Sequence, residues 1–147
     1  MALRQLRYEK DEILYKKCRE VTEVNDRIRE LLEDMMDTLH HTENGAALAA
    51  NQIGILKRLI VIDYEDYILK LVNPVITASE GEQECIEGCL SFPGQVGKTL
   101  RPQKVTVKAL NEMGEEVVIT GEGEMAKCLC HEIDHLNGEV FIDKIIG

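Results

Sequence analysis

Apolar residues recur along the early part of the chain at steps of three and four: Ile28, Leu31, Leu32, Met35, Met36 and Leu39. That spacing lines one face of a helix. Asn25 suits its N-cap and Asp26 its first turn, where a negative charge meets the positive end of the helix dipole. His40 and His41 close it, ahead of the breaker Asn44-Gly45. The methionines in the stripe read as core packing rather than as ligands.

Beyond this helix the period changes. LKRLIVID (56–63) is a short apolar run bounded by charges and predicts a strand, and YILKLVNP (67–74) predicts another, stopped at Asn73-Pro74. Val105, Val107 and Ala109 alternate with Lys104, Thr106 and Lys108, the mark of a half-buried strand. Asn111-Glu112-Met113-Gly114 then turns the chain into EEVVITG, giving a hairpin. A second helix is expected from about 122 to 137, with Gly138 just past its end. EVFIDKII follows as a short strand or extended tail. Strands that neighbour by hairpin, with two helices and no βα alternation, give an α+β fold: antiparallel sheets around a C-terminal helix, with an amphipathic helix near the N-terminus.

Composition narrows the picture only a little. The 147 residues fit one domain, 1–147, with no repeat and no linker. With 44% hydrophobic and 30% charged residues, the chain reads as an ordinary globular protein. It has neither a run long enough to cross a membrane nor the apolar segment of a secretion signal, so the cytoplasm is the expected compartment and no membrane is expected as a partner. A net charge of −10, with no Lys/Arg cluster, speaks against direct nucleic-acid binding. Five cysteines at irregular spacing read as reduced thiols, some of them open to metal binding or catalysis.

The chemistry concentrates in KCLCHEIDHLNG, 127–138. On a helix, His131 and His135 lie one above the other and can reach a single metal ion. Glu132 is offset by about 100°, the step that follows from ~3.6 residues per turn, and flanks the pair as a general base would. The alternative is a solvated face where three residues fell together by chance.

A metal needs a third ligand. In one protease pattern the motif runs on to a third histidine, but Phe141 occupies that position here, and Glu139 and Asp143 lie too near the helix end. Upstream stand His40, His41 and the thiols. Cys128 and Cys130 point about 200° apart on a helix and cannot jointly clasp an ion. Cys128 reads as a packing residue, and Cys18 has no supporting context. Within ECIEGCLSFPG (84–94), Cys89 sits in a glycine-flanked, loop-like segment. One thiolate and two imidazoles with a fourth position open is a catalytic rather than a structural donor set. A further stretch, ENGAALAANQIG (43–54), is rich in small residues; its Gln52, taken alone, reads as exposed.

These three stretches, in this order, resemble peptide deformylase. The family carries G-x-G-L-A-A-x-Q, E-G-C-L-S and H-E-x-D-H. Here they read as 45–52 (GAALAANQ), 87–91 (EGCLS) and 131–135 (HEIDH), with QIGILKRLIVID, NPVI, RPQKVTV and HLNGEVFID around them. The resemblance implies hydrolysis of the N-formyl group from the initiator methionine of nascent polypeptides, with release of formate. It implies that Cys89, His131 and His135 hold one divalent ion, Fe(II) first, with Zn(II), Ni(II) or Co(II) also compatible. Glu132 would take a proton from the attacking water and return it to the leaving amine. Gln52 and the backbone N–H of Leu90 would steady the oxyanion. The methionine side chain is expected beside Gly45, Ala46, Ala47, Glu87, Gly88 and Cys128. Formylmethionyl peptides are the implied partners, with transient proximity to the ribosome. Two positions depart from the family pattern: Ala47 replaces its second glycine, where a β-carbon could narrow the groove, and Cys130 replaces a glutamine. The chain also ends without the longer helix that some members use at the ribosome. Two other readings are a metal-holding relative without turnover and a metallopeptidase of another kind; Phe141 and the short tail speak against the second.

Overall fold

The computed structural model describes residues 3–42 and 45–146. The elements are α1 (Asp26–His40), β1 (Ala47–Ala49), β2 (Leu59–Tyr64), β3 (Tyr67–Glu80), β4 (Gln83–Cys89), β5 (Phe92–Arg101), β6 (Lys104–Leu110), β7 (Glu116–Glu122) and α2 (Glu124–Leu136). Five strands form one antiparallel sheet in the order β1-β2-β3-β6-β7, and β4 and β5 form a separate hairpin. The fold is α+β, as the alternation of periods predicts.

β2 shows why LIVI is a continuous apolar run. Leu59 and Val61 pack with the stripe of α1, whereas Ile60 and Ile62 pack with α2, so the strand is buried on both faces. The six apolar positions read on α1 are all buried, and the Asn25 side chain accepts from the Ile28 N–H. The helix ends at His40 with His41 as C-cap, as read from the two histidines; Asn44 lies outside the described residues.

Two expectations fail for definable reasons. Asn73-Pro74 does not end the strand: β3 runs on to Glu80. Asn73 adopts a φ of 53°, which asparagine tolerates, and the ladder with β6 shifts register between Val72 and Val75. The proline, lacking an N–H, sits at that irregularity, where no ladder bond is lost. The Asn73 side chain meanwhile binds both backbone groups of Val21, at 2.8 and 2.9 Å, and so ties down the N-terminal segment. The tail is also different. Val140 and Phe141 are both buried with Leu14 and Phe92, and consecutive inward residues need a turn; Phe141–Lys144 is one turn of 3₁₀ helix. Among the described residues of the tail, only Ile145 bridges to a strand, at Thr99.

Other local readings are reproduced. Asn111 accepts from the N–H groups of Met113 and Glu115 and so forms the turn between β6 and β7. α2 spans 124–136, inside the expected 122–137, and Gly138 follows it with a φ of 74°. A β-carbon at Gly138 would come within 2.6 Å of the Tyr15 carbonyl oxygen, so glycine is needed there for both reasons.

Candidate active site

Two periodicities meet here. On β4, residues two apart share a face, which turns Cys85, Glu87 and Cys89 toward α2. On α2, residues four apart share a face, which turns His131 and His135 toward β4. The segment 84–94, expected as loop-like, is therefore the β4–β5 hairpin. Its strand period was disguised because the buried member at position 87 is a charged residue. Cys89 pairs with Phe92 across the two-residue turn Leu90-Ser91, with a register shift immediately before it.

The Cys89 Sγ lies 3.3 Å from His135 Nε2, and the donor atoms of Cys89, His131 and His135 all lie within 4.8 Å of one another. The imidazole centroids are 4.9 Å apart. Glu87 Oε1 meets His131 Nδ1 at 2.8 Å, fixing the tautomer so that Nε2 faces the cluster. The donor chemistry fits a divalent ion: one thiol and two imidazoles converge, and the supporting carboxylate is in place.

Behind Glu87 stands a buried relay that sequence reasoning did not single out. Arg101 grips Glu87 with two bonds, at 2.6 and 2.9 Å, and reaches Asp134 at 2.6 Å; Thr99 also donates to Glu87. Burial favours the neutral acid at Glu87, but Arg101, His131 and Thr99 outweigh it and hold the carboxyl well below the ordinary range. The available signals were the arginine of RPQKVTV and the aspartate of HEIDH. Glu87, expected beside the substrate, borders the groove but is 1% exposed, with its carboxylate turned to this relay.

Charge in the cluster is uneven. Burial pulls the His131 imidazole down, yet Cys89 and Glu87 raise it to about 10. Burial and the neighbouring His131 push His135 well below its ordinary value. Glu132 is buried, its carboxyl raised by burial to about 7, and its Oε1 has no partner among the described residues. Its Oε2 is 3.9 Å from His131 Nε2.

Gln52 is 1% exposed, not the surface residue its type suggests. Its Oε1 accepts from the Ala49 N–H at 2.9 Å, which turns the amide NH₂ toward Ser91 Oγ (3.2 Å) and Cys89 Sγ (3.4 Å). Asn51 is also fully buried and donates to the His135 carbonyl oxygen at 2.6 Å. Phe141, excluded as a ligand, lays its ring against His131, with centroids 5.9 Å apart. His40 is paired with Asp63 and His41 with the Asp37 carbonyl, away from the cluster.

In front of the cluster opens a groove of ≈ 620 Å³. Gly45, Ala46, Ala47, Gly88, Leu90 and Cys128 line it, together with Gln52, Cys89, His131 and Glu132. Ala47 lies in β1 opposite Ile62, and among the described residues only Glu65 and Asn73 are non-glycines with positive φ, so the substituted position is not strained. Cys130 faces the core instead of the groove. All five cysteines are free.

A polypeptide deformylase family model matches residues 3–147. The chain belongs to the polypeptide deformylase family. Peptide deformylase 2 of Clostridium acetobutylicum is 61% identical over 99% of this chain and 97% of its own length. Among solved structures, the peptide deformylase of Legionella pneumophila superposes with a TM-score of 0.94 at 44% identity, covering 99% of this chain and 87% of that one. The Ehrlichia chaffeensis peptide deformylase in complex with actinonin gives 0.93 at 36%, covering 99% and 90%. Members of the peptide deformylase family are metal-dependent hydrolases, and this chain carries the family fold with a Cys-His-His cluster in it.

Proposed function

We propose that Cys89, His131 and His135 hold one divalent ion, Fe(II), and that Glu132, Gln52 and Leu90 carry out peptide deformylation around it. The chain is a peptide deformylase: a hydrolase that removes the N-formyl group from nascent polypeptides and releases formate. The observation that carries the residue assignment is the convergence of one sulfur and two imidazoles beside a buried carboxylate with an unpartnered oxygen.

When bound, the ion supplies Lewis acidity to a water and to the formyl oxygen. The rest falls to the chain. Glu132 accepts a proton from the attacking water on a carboxylate oxygen and returns it to the leaving amine nitrogen. Burial raises its carboxyl to about 7, in the range where one group can both take up and give back a proton. The Gln52 NH₂, held by its contact to Ala49, donates to the oxygen that gains charge, and the Leu90 N–H is the second donor. Glu87, with Arg101 behind it, keeps His131 turned. The groove walls at Gly45, Ala46, Ala47, Gly88 and Cys128 receive the methionine side chain.

Iron is the assignment we favour; zinc, nickel and cobalt suit the same donors. Iron beside Cys89 makes the activity oxygen-sensitive, because the thiolate can be oxidised. We read residues 1–147 as one catalytic domain acting in the cytoplasm on chains close to the ribosome. The test is formate release from formyl-Met-Ala-Ser, with metal analysis of anaerobically purified protein. Turnover with one equivalent of iron is expected, decaying faster in air. Equal decay with and without oxygen refutes iron, and no formate release refutes the assignment of the site. Cleavage of an unformylated peptide would instead favour a metallopeptidase.

A further inference from the structure

The groove does not stop at the metal cluster. It runs along α2 toward the helix N-terminus, past Cys128 to Lys127 and Glu124, with Tyr64 also on its lining. Lys127 and Glu124 lie four and seven residues before His131, roughly 6 and 10 Å along the axis at ~1.5 Å per residue. A formylmethionine with its formyl carbon at the cluster spans six bonds to its terminal methyl, about 7–8 Å extended. The tip of that side chain therefore reaches the level of Lys127.

This end of the groove is polar. The Lys127 ammonium donates to the Ile86 carbonyl oxygen at 3.2 Å and pairs with Glu124 at 2.7 Å. An ammonium has three donors. Two are taken by Ile86 and Glu124 among the described residues, which leaves a third. The Lys127 side chain is 21% exposed and that of Glu124 61%, so the stem is covered while this end of the groove stays open to water. A plain thioether offers that donor almost nothing, whereas an acceptor oxygen at the tip of the side chain would satisfy it.

We propose that Lys127 is a specificity-determining residue and that the enzyme accepts formylated peptides whose first side chain ends in a hydrogen-bond acceptor, methionine S-oxide being the substrate of matching length. Oxidation turns methionine from apolar to polar, and an apolar pocket would reject it for want of a partner. Here the S–O oxygen receives the Lys127 N–H. The hydrolysis is unchanged: water adds to the formyl carbon, the C–N bond breaks, formate leaves, and the S-oxide is untouched. The inference rests on the proposed placing of the first side chain in this groove.

The experiment compares kcat/KM for formyl-Met-Ala-Ser and formyl-Met(O)-Ala-Ser, using holoenzyme and the variants K127M and K127R. The wild type is expected to hydrolyse the S-oxide within about 10-fold of the thioether, the scale of a small side-chain change in a pocket. K127M should lower the S-oxide to thioether ratio by a further ~10-fold, as loss of a hydrogen bond from a charged donor does, and K127R should restore it. A wild-type ratio below about 1 in 100, or a ratio unaltered in K127M, overturns the proposal while leaving the site intact. Turnover of neither peptide by the wild type refutes the site assignment itself, and this inference with it. Should neither variant fold, the wild-type ratio decides alone.

Discussion

His131 turns its Nδ1 to Glu87 at 2.8 Å, and Glu87 is in turn gripped by Arg101 and Thr99. His135, one helical turn on, has its Nδ1 buried without a partner among the described residues; the nearby polar contact is to its backbone carbonyl, from Asn51. The same residue type in the same cluster is thus supported in two ways. One imidazole is oriented by a chain of charged side chains. The other is set by the backbone of α2 and by close packing. A side-chain relay fixes the tautomer and tunes ligand basicity, whereas packing fixes position alone. Orientation and electronic tuning therefore enter the site chiefly from the His131 side.

Glu132 belongs to neither support and offers the largest effect. Glu132→Ala should lower kcat by about 10²–10⁴ while leaving the metal bound, since general acid–base catalysis contributes that much. Stopped formate assays and metal analysis of one preparation check both halves. Loss of metal along with activity would make Glu132 part of the holding network and blur the contrast.

Gln52→Ala follows, with an expected loss of about 10²–10³ in kcat, the usual cost of one oxyanion donor. Gln52 also touches Cys89 Sγ, so metal content must be measured beside the rate. A rise in KM with kcat unchanged would mean that Gln52 binds substrate in the ground state only.

Glu87→Gln tests the relay directly. Removing its charge should weaken metal affinity by about 10–100-fold, as for other carboxylates behind a ligating histidine. Competition with a chelator, read as metal retained against chelator concentration, measures this. Affinity unchanged in the variant would reduce the relay to a structural buttress.

The sequence exposed one side of this contrast far better than the other. H-E-x-x-H places both imidazoles and Glu132 by helix geometry alone, and the apolar stripe of α1 located its helix to the residue at Asn25 and His40. The relay was hidden because it depends on contacts between distant segments. Glu87 occupies a buried strand position as a charged residue, which hides the period of β4. Arg101 and Thr99 lie more than ten residues from Glu87, and only the β4–β5 pairing brings them together. Gln52 was misread for a related reason: residue type suggests exposure, but the turn at 50–53 folds it inward, its Oε1 on the Ala49 N–H. Asn73-Pro74 shows the converse error, where a strong local breaker was absorbed by a bulge. Local period and motif spacing were legible; partners set by sheet pairing were not.

Asn51→Ala carries the smallest effect and presses hardest on the asymmetry. Asn51 is fully buried, and its NH₂ donates to the His135 carbonyl at 2.6 Å. Truncation removes this donor while the oxygen keeps the Gly138 N–H at 2.9 Å, so the cost in stability is about 0.5–1.5 kcal/mol. Because the bond reaches the backbone of His135 rather than its ring, metal affinity should fall less than in Glu87→Gln. Urea unfolding of both variants, paired with the same chelator competition, separates the two outcomes. Should Asn51→Ala lose as much affinity as Glu87→Gln while losing little stability, the backbone contact would be orienting the imidazole after all. The two histidines would then be supported alike, by different atoms.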